Sequence, residues 1–268
     1  MYSRTVLFCL LTLTLTTTSG YADQPAPSGA EIVKRCYYKY AGDDQRSQLV
    51  IALTDENGKK VKSEYLRLWK NYAGKNGIED KVVLFTQFPP DNKGVNFMRW
   101  SYSDLKKAAD QWVYLPEMRI VRRVSQRDPK NMDWGFTDED LRIRALDEDE
   151  HIFKEVARFE DSEYYLVESI PKQDPTYGKR VSWFNKADDW EDCLQRRVDY
   201  YDKRGELMKT QFMKWERVKD AWVWRTVVVN NSRNAAAAVY DMRQVEVNVG
   251  LTDEDFTQRT LKLGDRPR

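Results

Sequence analysis

The strongest constraint on this chain is an alternation of apolar and polar residues with a period of two, broken by turn residues and rarely by anything helical. In SQLVIALTDENGKK, Leu49, Ile51 and Leu53 fall on one face, and Glu56-Asn57-Gly58 ends the run. Asn-Gly tolerates positive φ at both central positions, so KSEYLRLWKNY reads as the returning strand of a hairpin. The pattern recurs in DKVVLFTQF, GVNFMRWSYS, DQWVYL, MRIVRRV, HIFKEVARFED, EYYLVESI, KRVSWFNKAD, CLQRRVDYYD, ELMKTQFMKWERV, AWVWRTVVVN and VYDMRQVEVNV. The intervening pieces are too short for parallel crossovers, so the sheet is expected to be antiparallel. Roughly a dozen strands exceed what one flat sheet accommodates; such a sheet curls strongly or splits in two.

Few segments depart from this pattern. AEIVKRCYYKYAG places Ile32, Val33, Cys36 and Tyr37 at helical spacing behind a Ser28 cap. TDEDLRIRA and TDEDFTQR each open with a threonine and acids suited to a helix start. The first 22 residues read as a cleaved signal peptide: Arg4, an apolar run from Val6 to Leu15, then Gly20-Tyr21-Ala22. That run is shorter than the about 20 apolar residues a spanning helix needs. Residues 23–268 are then an exported single domain, expected to be monomeric.

The 44 basic and 43 acidic side chains nearly cancel, which argues against general nucleic-acid binding. Cys36 and Cys193, the two cysteines beyond the leader, form an even pair compatible with one disulfide in an oxidising compartment, or with two buried thiols.

Little here resembles a catalytic constellation. The single histidine, His151, follows the acidic run Asp147–Glu150, which lacks the glycine and spacing of a calcium loop, so no metal site and no cofactor is expected. No nucleophile elbow, P-loop or HExxH motif accompanies it; Ser-His-Asp or Cys-His catalysis would have to run through His151, and among the many acids nothing picks out a pair for carboxylate chemistry. An enzyme is the weaker class.

Aromatic residues, at 13% of the chain, alternate along strands: Met98, Trp100, Tyr102; Trp112, Tyr114; Trp222, Trp224. Singly they read as core; together, on the inner face of a half-closed sheet, they suggest the wall of a ligand cavity. Arg119, Arg122, Arg123 and Arg127 crowd the next strand, either as charged protection of a sheet edge or as contacts for a headgroup or an acidic partner. Arg122 and Arg123 point to opposite faces, one of them toward Asp138, Glu139 or Asp140.

QWVYLPEMRIVRRVSQRD followed by MDWGFTDEDL resembles the outer-membrane lipoprotein-sorting-like proteins, a LolA-related group. FTQFPPDNKGVNFM, YLVESIPK, KRVSWFNKAD, YYDKRGELMKT and LTDEDFTQRTL extend the likeness along the chain. The resemblance implies an incomplete antiparallel β-barrel of about eleven strands, LolA/LolB-like, closed by a few short α-helices. It also implies a periplasmic location, a hydrophobic cavity for acyl chains, and service to an inner-membrane transporter of the RND/MMPL type. On this reading Met98, Trp100, Trp112, Tyr114 and Leu115 line the cavity, with Phe136 and Leu141 in its lid. Arg119, Arg122 and Arg123 meet a headgroup or partner. The competing readings are a scaffold whose cavity is filled by its own side chains, and a hydrolase.

Overall fold

A computed structural model describes residues 26–104, 106–124, 144–172 and 177–265. Residues 1–25, which include the segment expected to be a signal peptide, and Arg127, Phe136, Asp138–Leu141 and the first TDED helix start lie outside the described residues.

Six strands come first: β1 (Asp44–Thr54), β2 (Lys60–Asn71), β3 (Ile78–Phe88), β4 (Asn96–Tyr102), β5 (Asp110–Leu115) and β6 (Ile120–Val124). Seven follow: β7 (Asp149–Phe159), β8 (Ser162–Pro171), β9 (Lys179–Asn185), β10 (Gln195–Tyr201), β11 (Leu207–Val218), β12 (Ala221–Asn231) and β13 (Ala237–Val247). Each of the alternating runs is a strand. Thirteen, where the resemblance implied about eleven, form one antiparallel sheet in the order β6-β5-β4-β3-β2-β1-β13-β12-β11-β10-β9-β8-β7. β6 and β7 are its two edges, so the barrel is incomplete. Hairpins account for nearly every connection. Between β1 and β2 the Asp55 carboxylate accepts the Asn57 and Lys59 amides at 2.9 and 2.8 Å, while Gly58 supplies the positive φ of 83°.

Helix α1 (Gly29–Cys36) begins as its sequence suggests, with the Ser28 hydroxyl accepting the Glu31 amide at 3.2 Å. Ile32, Val33 and Cys36 are buried and pack with Val167, Phe184 and Cys193. Gly29 permits a backbone-to-backbone approach: a Cβ there would lie 2.6 Å from the His151 carbonyl oxygen and 2.7 Å from the Phe153 nitrogen. α1 is therefore seated directly on β7. Of the two states open to the cysteines, the structure has the bonded one, Cys36 Sγ–Cys193 Sγ 2.04 Å with Cα atoms 4.9 Å apart. The bridge ties α1 to the segment leading into β10 across 157 positions of sequence. Loop-closure entropy assigns a crosslink of that span roughly 5 kcal/mol, the upper end of what disulfides contribute.

The second TDED start splits in two. A 3₁₀ turn, Asp253–Phe256, is held by the Asp255 carboxylate accepting the Thr252 amide at 2.7 Å. Extended Thr257 then restarts the chain as α2 (Gln258–Leu263). The Asp44 carboxylate accepts the Val249, Gly250 and Leu251 amides at 2.7, 3.1 and 3.0 Å. Lys70 Nζ donates to the Leu251 carbonyl at 2.8 Å, and Asn96 Nδ2 to the Leu261 carbonyl at 2.9 Å. These bonds press Phe256 and Leu261 onto one face of β2–β6, against Leu66, Leu68, Val83, Phe85 and Met98.

That placement corrects the expected cavity wall. Trp100, Trp112 and Tyr114 pack with the same cluster beneath the C-terminal segment, Trp100 and Trp112 edge-to-face at 5.2 Å between ring centroids. Side chains alternate, so the strand that sends Met98 and Trp100 to this outer face sends Phe97 and Arg99 to the other. Leu115 shares the face of Phe97 but falls outside the cavity lining.

Candidate functional site: a cavity inside the wrapped sheet

Residues from β2–β4 and from β7–β9, opposite ends of the sheet, line one common cavity of about 250 Å³, so the sheet wraps around it. Its middle is apolar. Leu49, Val227 and Met242 form its buried base, with Leu84, Met213 and Trp224 packed against them. On that measure a single water needs about 10–15 Å³; the cavity is far roomier than a packing defect. It lies just below the about 300–1,000 Å³ typical of small-molecule sites.

Segment 37–41, leaving α1, straps the opening. The Tyr38 hydroxyl donates to the Arg144 carbonyl at 2.5 Å, Lys39 Nζ to the Trp190 carbonyl at 2.6 Å, and the Trp222 amide to the Tyr40 carbonyl at 2.8 Å. Tyr38, Lys39 and Trp222 line both the cavity and a shallow surface hollow beside Lys34, Arg35 and Trp190, which marks the mouth. Burial lowers the Lys39 ammonium pKa, against the opposing pull of Glu191, Asp192 and Asp189.

Charged groups gather at both ends. On the β7–β9 side Arg180 donates to Asp149 at 2.7 and 2.8 Å, and Arg144 reaches the same carboxylate at 3.0 and 3.2 Å and Glu148 at 3.6 Å. Two guanidinium groups thus face two carboxylates. Beside them His151 Nε2 lies 3.1 Å from the Leu146 carbonyl, which only accepts, so Nε2 carries the proton. Nδ1, 2.8 Å from Ser169 Oγ, is then the acceptor of the serine hydroxyl. Burial lowers the His151 pKa and favours this neutral form. The pair has the hydrogen bond of a nucleophile and its base. However, Ser169 lies inside β8, paired with His151 on β7 and Arg180 on β9, rather than on an exposed turn with free amides for an oxyanion.

On the β2–β4 side Arg67, 9% exposed, donates to Gln45 Oε1 at 2.8 Å. Gln45 is itself oriented by donating Nε2–H to the Ala41 carbonyl at 2.6 Å. Asp80 lies between the two arginines' strands, 3.7 Å from Arg99 and accepting the Ser101 hydroxyl at 3.2 Å. Burial pulls the Arg67 pKa down to about 10.

The expected partner arginines sit elsewhere. Arg119, Arg122 and Arg123 are exposed on and before edge strand β6, and Arg123 pairs with Asp110 on β5. Sequence reasoning missed Arg67, Asp80 and Arg99. Their signal was present in Leu66-Arg67-Leu68 and Met98-Arg99-Trp100, where a charge in a central strand stands between apolar neighbours that need the opposite face buried.

Two family models match the chain: one whose description reads uncharacterized protein, over residues 78–263, and one described as protein of unknown function (DUF1329), over residues 24–131. Among solved structures, a DUF1329 family protein from Desulfovibrio piger is 26% identical, covering 87% of this chain and 97% of its own, with a TM-score of 0.75. A putative outer membrane lipoprotein-sorting protein domain from Vibrio parahaemolyticus is 23% identical over 87% of this chain and 98% of its own, TM-score 0.72. A LolA superfamily protein from Nitrosomonas europaea is 16% identical over 88% of this chain and all of its own, TM-score 0.64. Among proteins with curated descriptions none matches. The LolA-like resemblance read from the motifs is borne out.

Proposed function

The chain belongs to the family of uncharacterized proteins whose model spans residues 78–263 and has the LolA-like fold; on that premise we propose that it is a non-catalytic periplasmic carrier that shelters acyl chains inside its wrapped sheet. The cavity carries this reading: an apolar belt, an incomplete barrel around it, and a strap across its mouth. Burying an acyl chain there yields about 0.8 kcal/mol per CH₂ removed from water. No covalent step or cofactor is needed. Release would require the 37–41 strap to open, favoured by a partner that binds the open form better. An inner-membrane transporter of the RND/MMPL type fits that role, with exposed Arg119 and Arg122 on the sheet edge as its contact. The roomy cavity favours a carrier over a self-filled scaffold, and among the described residues that line it the Ser169–His151 pair is what a hydrolase reading would rest on.

A solvatochromic acyl probe tests the proposal. Leu84 is partly buried and faces the cavity, so Leu84→Trp adds bulk into open space. It should weaken probe binding at least tenfold while the thermal midpoint stays within a few degrees. Unchanged binding in Leu84→Trp would place the probe elsewhere and remove the cavity from the account.

A further inference from the structure

The two charged ends of the cavity differ in one respect: one is balanced and the other is not. Among the lining residues of β2–β4, Arg67 and Arg99 share one carboxylate, Asp80, which leaves one excess positive charge in a buried setting. Asp80 lies beyond hydrogen-bond reach of Arg99, and Arg99 Nε, wholly buried, has no acceptor among the described residues. The Arg67 guanidinium, with five N–H donors available, gives one to Gln45 and otherwise faces the Trp69 ring at 5.7 Å. Buried cations without partners are costly, as are unmet buried donors. An anion is the group that would relieve both at once.

We propose that the Arg67–Arg99 end of the cavity is an anion subsite, and that the ligand is a single-headed anionic amphiphile. Its carboxylate or phosphate lies against the two guanidinium groups, and its apolar chain runs along Leu84, Leu49 and Met242. This rests on the carrier reading and adds to it a ligand class and an orientation, head inward. Arginine suits the task because its planar fork matches both oxyanions and keeps its charge when buried. The same chemistry arises from a fatty acid and from a phosphate-headed lipid. The β7–β9 end does not compete for the head, since Arg144 and Arg180 are already engaged by Asp149 and Glu148.

The test compares three probes with one tail, dodecanoate, dodecyl phosphate and dodecanol, each at monomeric concentration, titrated calorimetrically into the full exported protein. At least one anion should bind more than about tenfold tighter than dodecanol, the size of effect expected of a charge-assisted hydrogen bond. The better anion distinguishes the carboxylate source from the phosphate source. In Arg99→Gln that advantage should fall about tenfold with dodecanol unaffected, and Arg99→Lys should recover part of it. Thermal melts of both variants establish that the loss is not unfolding. If dodecanol binds the unaltered protein as tightly as both anions, or if Arg99→Gln keeps the full preference, the anion subsite is overturned while the acyl cavity stands. If no probe binds at all, the carrier reading falls and takes the subsite with it.

Discussion

Phe256→Ala should destabilise the protein by about 3–5 kcal/mol, the usual consequence of removing a fully buried phenyl group, while leaving the cavity intact in the molecules that remain folded. Phe256 has no exposed surface and packs beside Leu66, Val83, Phe85 and Met98 on the outer face of β2–β6. Its segment is held there by Asp44, Lys70 and Asn96 and by Lys81, whose Nζ lies 3.0 Å from Asp253 and 4.3 Å from the Trp100 ring centroid. Deleting the ring leaves a void under the Asp253–Phe256 turn, whose segment otherwise reaches this cluster through Leu251 and Leu261. Urea unfolding followed by tryptophan fluorescence measures the loss. A change below about 1 kcal/mol, the scale of a surface substitution, would mean that the segment does not cover this face. By the same geometry, a charged residue at Trp112 should act on stability first and on ligand retention only through it.

The second large effect is expected at Asp149. Its side chain is 5% exposed, and it is the shared acceptor of Arg180 and Arg144. Asp149→Ala would take from two largely buried guanidinium groups the carboxylate they share, and breaking a buried pair from one side costs about 3–5 kcal/mol. The consequence should extend to the mouth, because Arg144 presents its carbonyl to Tyr38 and its amide to the Tyr37 hydroxyl. Chemical denaturation and limited proteolysis near residue 38 should therefore change together. Loss of stability without new cleavage there would separate the ion cluster from the strap.

The architecture was legible because the alternation of residues such as Leu49, Ile51 and Leu53 maps directly onto one face of a strand, and because Asn57-Gly58 has few alternatives to a turn. The start of α1 was legible for a similar reason: Ser28 and the spacing of Ile32, Val33 and Cys36 are local signals. Which face lines the cavity was not legible. β4 reads Asn96-Phe97-Met98-Arg99-Trp100, with large groups on both faces, since one face packs under the C-terminal segment and the other around the cavity. Alternation then reports two buried sides without ranking them. The aromatic count favoured Met98, Trp100 and Trp112, whereas the cavity took Phe97 and Arg99. Nothing local to LTDEDFTQRTL revealed that it would return some 160 positions along the sequence to cover β3 and β4. The Cys36–Cys193 bond, too, depends on a pairing of distant elements that spacing does not encode.

The most direct test of the carrier account is native mass spectrometry of the exported protein, released from a periplasm without detergent and then extracted with organic solvent. The account predicts a mass excess that disappears on extraction, yields an acyl-bearing anion, and is absent from Leu84→Trp prepared in the same way. A mass equal to the bare polypeptide, unchanged after incubation with phospholipid vesicles and with dodecanoate, would contradict it.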